Sequence, residues 1–76
     1  MFRRFVMFKA SELKEGLKIV ADDVVDCVRK KVQTVKRNDF GDYFIDCVVG
    51  THLLDGQFEL IDGELWVVNF DIVEEN

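Results

Sequence analysis

Asp62-Gly63 sits between two runs of alternating apolar residues, Gln57 to Ile61 and Glu64 to Val73, and Asp-Gly readily takes the positive φ angles of a two-residue type I′ turn. The pair therefore predicts a β-hairpin. Trp66, Val68, Phe70 and Ile72 alternate on one face of its second strand, while Leu65 and Val67 share the other with Phe58 and Leu60. A strand apolar on both sides belongs in a small curled sheet or barrel, buried on both faces.

The rest of the chain is consistent with β structure. Asn38-Asp39-Phe40-Gly41 is a turn cluster, and after it Tyr43, Ile45, Cys47 and Val49 fall on one apolar face of a strand spanning 42–49. Pairing Arg37 with Asp42 across a four-residue loop would set Val32 and Thr34 against Cys47 and Ile45. Ser11 to Gly16 reads as one helical turn or tight loop feeding a strand at 17–21. The expected strands are 17–21, 31–37, 42–49, 57–61 and 64–73, in a small antiparallel β-barrel or curled sheet of SH3-like size. The alternative is an α+β domain. Val24, Val25, Val28, Val32 and Val35 fall at helical spacing with acids first and bases last, so one helix near 23–37 could pack on the hairpins. Against it, the apolar positions are all β-branched.

With 76 residues the chain makes a single domain, 1–76, which buries only roughly 60–65% of its unfolded surface. A deep catalytic cleft is not expected. Residues 1–9 interleave Phe2, Phe5 and Phe8 with Arg3, Arg4 and Lys9 and read as an edge strand or ordered tail rather than a membrane- or nucleic-acid-binding segment. Met7 offers an alternative start, which would make the residues before it dispensable. No signal peptide or membrane-length apolar run is visible, so a cytoplasmic protein with reduced thiols is expected.

Charge is partitioned along the chain. All ten Lys and Arg residues lie at or before Arg37, whereas residues 38–76 hold ten carboxylates and no basic residue. Either the halves neutralise each other in the fold, with Arg29 to Lys31, Lys36 and Arg37 covering the acids, or an acidic face meets an electropositive partner. Its expected members are Asp39, Asp42, Asp46, His52, Asp55, Glu59, Asp62, Glu64 and Asp71, with Asp42 and Asp46 projecting together opposite Tyr43 and Ile45. Net charge of −5 argues against direct binding of nucleic acid.

Catalysis finds little support. Cys47 and the single histidine, His52, lack a recognisable oxyanion loop, and Cys47 is explained by its apolar face. Cys27, Cys47, His52 and Asp55 have zinc-ligand chemistry without the short spacing of a zinc clip. Buried structural cysteines and an exposed imidazole are expected instead, with no metal, no cofactor and no enzymatic activity. Leu53 and Leu54 would either plug an open end of the barrel or form part of a binding turn.

Leu17 to Asp23, then Cys27, then Asp46 to Gln57, with the string Cys-x-x-Gly-x-His-x-Leu-Asp-Gly-Gln, resembles small uncharacterised proteins of bacteriophages and prophages. The resemblance covers roughly residues 8–57 and departs at the Val-rich stretch 24–28 and the N-terminal extension. It implies a phage-type origin, favours strand after the first Asp pair, and names no mechanism. The expected function is that of a non-enzymatic interaction protein in the host cytoplasm. It would inhibit a host nucleic-acid-handling or defence protein, in the manner of an anti-CRISPR, through an acidic surface mimicking nucleic acid. An adaptor binding protein through a sheet edge or apolar patch is the alternative.

Overall fold

The computed structural model describes residues 3–22, 31–47 and 50–75, with the side chains of Arg3 and Glu75 excluded. It is mainly β. The strands are β1 (Arg3–Lys9), β2 (Lys18–Ala21), β3 (Val32–Thr34), β4 (Lys36–Arg37), β5 (Tyr43–Cys47), β6 (Gly50–Leu53), β7 (Phe58–Ile61) and β8 (Glu64–Glu75). Short 3-10 turns at Ala10–Glu12 and Asp55–Gln57 are the helical elements among the described residues. One antiparallel sheet runs β1-β8-β2-β3 with β7 also on β8, and the second runs β4-β5-β6. The described strands form two curled sheets rather than a closed barrel.

Strand β8 is the hub. Along one edge it pairs with β1, from Arg3 opposite Glu75 to Lys9 opposite Trp66. Along the other it pairs first with β7 and then with β2, where Ile19 faces Ile72. Asn69 lies between these two stretches with φ of 67°, and the β1 register jumps between Val6 and Phe8. A left-handed residue shifts the pleat, so Val67 and Phe70 both reach the core, instead of Phe70 alternating with Trp66 and Val68 as the pattern predicted. The expectation of burial on both faces also fails at the hairpin end, where Leu65 stays 49% exposed. The turn itself is the one predicted, with Asp62 at φ 50° and Gly63 at φ 82°.

The strand expected over 31–37 is present but divided at Val35. Its N–H donates to the Leu17 carbonyl and its carbonyl accepts from Gly16 N–H, each at 2.8 Å. Residues before it pair with β2 and residues after it with β5, so one continuous stretch carries the chain between sheets. These strands exclude a single helix over 23–37 from residue 32 onward; residues 23–30, including Cys27, Arg29 and Lys30, lie outside the described residues.

The predicted register is off by one. Arg37 faces Tyr43 and Lys36 faces Phe44, because Asn38, not Arg37, closes the loop. Asn38 Oδ1 accepts the N–H groups of Phe40 and Asp42 at 2.9 Å each, and Asn38 N–H donates to the Asp42 carbonyl. Gly41 then takes the left-handed position, φ 86°, of a three-residue hairpin loop. A one-residue slip reverses faces, so Val35 joins Ile45 in the core, while Val32 and Thr34 pair with Val20 and Lys18.

The core is Phe8, Leu13, Ile19, Ala21, Val35, Ile45, Leu54, Val67 and Phe70, drawn from both sheets and the links between them. Burying each of its larger side chains is worth about 1.5–3 kcal/mol. Residues 3–6 are integral to this arrangement, since they pair with residues 72–75.

Asn69→Gly should cost no more than about 1 kcal/mol, the loss of the side-chain hydrogen bond to Gln57 being partly offset by glycine's freedom at positive φ, whereas Asn69→Val, which also meets the Cβ penalty, should cost about 2–3 kcal/mol. Urea unfolding followed by Trp66 fluorescence measures both.

Candidate partner-binding surface

The acidic residues divide into those the fold occupies and those it leaves open. Lys36 Nζ reaches Asp46 Oδ2, Lys9 Nζ lies 2.9 Å from Glu64 Oε2, and Arg4 contacts Glu74 at 2.8 Å. Each of these ion pairs joins a base of the first half to an acid of the second. Asp71 is half-buried on β8 opposite Val20. Asp39, Asp55, Glu59 and Asp62 are exposed and make no ion pair with any described residue.

Asp42 and Asp46 do not act together as expected. Asp46 is held by Lys36, while Asp42 is half-buried and lines a hollow of about 240 Å³ with Ala10, Leu13, Gly41, Tyr43, Asp55 and Phe58. Arg37 does not neutralise Asp42. Its guanidinium lies 5.6 Å from the Tyr43 ring centroid and its Nε donates to the Gly41 carbonyl, as the corrected register requires. The hollow thus combines the apolar and aromatic side chains of Ala10, Leu13, Tyr43 and Phe58 with two carboxylates, Asp42 and Asp55.

His52 is half-buried, not freely exposed as anticipated. It lies on β6, a strand hidden in the sequence because Gly50 looks like a turn residue with no turn signal ahead of it. Its ring centroid is 5.9 Å from that of Phe70, and Gln57 Nε2 lies 3.5 Å from His52 Nε2. Gln57 Oε1 in turn accepts from Asn69 Nδ2 at 3.3 Å. This string ties β6 and the turn before β7 to the bend in β8, which assigns His52 a structural place rather than one on the acidic face.

Cys47 is half-buried against the core and disulfide-bonded, which corrects the expectation of a reduced thiol. Cys27, the only other cysteine in the chain, lies outside the described residues. Among the described residues no group of three or more His, Cys, Asp or Glu could hold a metal ion, and no helix is long and apolar enough to cross a membrane.

Sequence reasoning missed the apolar component of this surface. Phe58, Leu60, Ile61 and Leu65 are exposed on the β7–β8 hairpin, and Phe40 is 90% exposed in the loop beside Asp39. The alternation that suggested burial was correct for the strands but could not show that the hairpin extends past the core. Comparison with known proteins finds no matching family model, no matching curated protein and no matching solved structure.

The two leucines after His52 have opposite roles: Leu54 is fully buried, whereas Leu53 is 44% exposed. Leu54→Ala should destabilise by about 2–5 kcal/mol, and Leu53→Ala should leave the melting temperature unchanged within about 0.5 kcal/mol. Thermal melts of the two variants check the division.

Proposed function

We propose that the chain is a non-enzymatic, phage-type interaction protein that occupies the basic surface of a nucleic-acid-handling or defence protein and inhibits it. The observation that carries this reading is the set of acids left open after the internal ion pairs form: Asp42 and Asp55 lining one hollow, Asp39 exposed in the turn before Asp42, and Glu59 and Asp62 along the β7–β8 hairpin. Carboxylates at the surface attract and orient a cationic partner, raising association rate and selecting against acidic competitors. The exposed Phe58, Leu60 and Leu65 among them add apolar area that phosphate mimicry by itself lacks. That apolar area favours a second reading, an assembly adaptor whose binding is driven by the hairpin and for which charge is incidental.

Inhibition inside a host would take place in the cytoplasm, where the Cys47 disulfide meets a reducing environment. Partner binding should therefore survive reductant, even if the reduced protein melts earlier, by up to about 2–4 kcal/mol of lost stability. Binding assays with and without thiol check this.

The central test is competition. Proteins captured from a bacterial lysate on the immobilised chain should be released by duplex DNA, with retention falling steeply as salt rises. The combined Asp39→Asn, Asp42→Asn, Asp55→Asn and Asp62→Asn variant should lose at least about tenfold in affinity, roughly 1.4 kcal/mol. Asp46→Asn, which alters an acid already paired, should bind like the parent. Retention indifferent to DNA and salt would reject nucleic-acid mimicry and leave the apolar adaptor.

A further inference from the structure

All of β7 is exposed although most of it is apolar, and among the described strands it pairs with β8 alone. Among the described residues none pairs with its outer edge, whose backbone N–H and C=O groups are the usual template for an added strand. Other described edges are less suited. Strand β4 has two residues, β3 has three, and β1 carries an irregularity at Met7 that disrupts a regular ladder, while β6, equal to β7 in length, starts at Gly50 and has its His52 engaged with Phe70 and Gln57.

The two faces of β7 differ. Leu60 is 68% exposed and faces Leu65 across the hairpin, giving an apolar face; on the opposite face Glu59 sits beside Trp66. At the Phe58 end the hollow opens, with Asp42 and Asp55 in its wall. Charge then selects the occupant. A second copy docking β7 against β7 would bring Glu59 and Asp62 towards their own counterparts, and like charges across strands are destabilising. A strand bearing cations meets no such penalty.

Resting on the charged-face reading above, we propose that β7 accepts an extended basic segment of the partner protein as an additional strand. Its apolar side chains rest on Leu60 and Leu65, and its cationic ones face Glu59 on the opposite face. Backbone pairing supplies affinity that is independent of sequence, while the alternation of apolar and cationic residues supplies selectivity.

Titration of the isotopically labelled full chain with a short capped peptide of alternating Lys and Val tests this by nuclear magnetic resonance. The expected result is amide shifts and slowed hydrogen exchange over Glu59–Ile61. N-methylation of alternate peptide amides, or Leu60→Lys in the protein, should weaken binding at least about tenfold. Leu53→Lys, at an exposed leucine on a different strand, should leave it unchanged. An N-methylated peptide that binds as well as its parent overturns the proposal, as does equal binding of a Glu-Val peptide. Shifts in β7 that follow the chain's own concentration without peptide overturn it in favour of a second copy. Shifts confined to Asp39, Asp42 and Asp55, with β7 silent, reject the added strand and leave the charged face standing. Specific β7 binding combined with captured proteins that DNA fails to displace rejects nucleic-acid mimicry and retains the added strand.

Discussion

The change of pleat at Asn69 is the constraint on which the architecture turns. A straight strand of the length of β8 would send Val67 and Phe70 to opposite faces. With a left-handed residue between them both enter the core, and the same backbone can serve β7 at one end and β2 at the other. The Asn69 carbonyl accepts the Asp22 N–H at 2.9 Å, and its side chain donates to Gln57, so the bend is held from two sides. Asparagine tolerates this conformation better than almost any residue except glycine. The free edge of β7 follows directly, because β2 takes over the neighbouring position on β8 only beyond the bend.

Electrostatics shapes the surface more than the stability. Exposed ion pairs contribute little to folding, and Lys36–Asp46, Lys9–Glu64 and Arg4–Glu74 are all solvent-accessible. Their effect is selection. Because every base lies at or before Arg37 and ten of the acids after it, each of these pairs joins the first half of the chain to the second, and Asp39, Asp55, Glu59 and Asp62 make no ion pair with a described residue. Lys9 does two things at once, pairing with Glu64 and lying 5.5 Å from the Trp66 ring centroid, which removes one cation from solution-facing use near the hairpin.

Most strands were legible because their signals are local. The type I′ turn at Asp62-Gly63, the cluster at Asn38 to Gly41 and the alternation around Ile45 each report on a few adjacent residues. What stayed hidden depended on partners distant in sequence. The slip that places Arg37 opposite Tyr43 is decided by one side chain, Asn38, closing its own loop. Strand β6 lacked a turn signal ahead of Gly50, and β1 was legible as an edge strand or ordered tail but not its partner, which among the described strands is β8 at the other end of the sequence. For the site, charge counting found the acids, but only the ion pairs distinguish Asp46 and Glu64, which are occupied, from Asp55 and Glu59, which are not. The apolar patch escaped because hydrophobic alternation reads the same on a buried strand and on one that overhangs the core.

The pairing of β1 with β8 joins residues 3–9 to residues 66–75, so β1 has to wait through the synthesis of roughly sixty further residues before it gains this neighbour. During synthesis the N-terminal Phe5, Met7 and Phe8 therefore remain without their native cover, and the main sheet cannot close by stepwise vectorial folding. The basic residues interspersed among them, Arg3, Arg4 and Lys9, keep this waiting segment soluble by mutual repulsion, the role of gatekeepers flanking an unavoidable apolar strand. Closure of the main sheet thus waits for residues 66–75, whatever the rest of the fold has already formed.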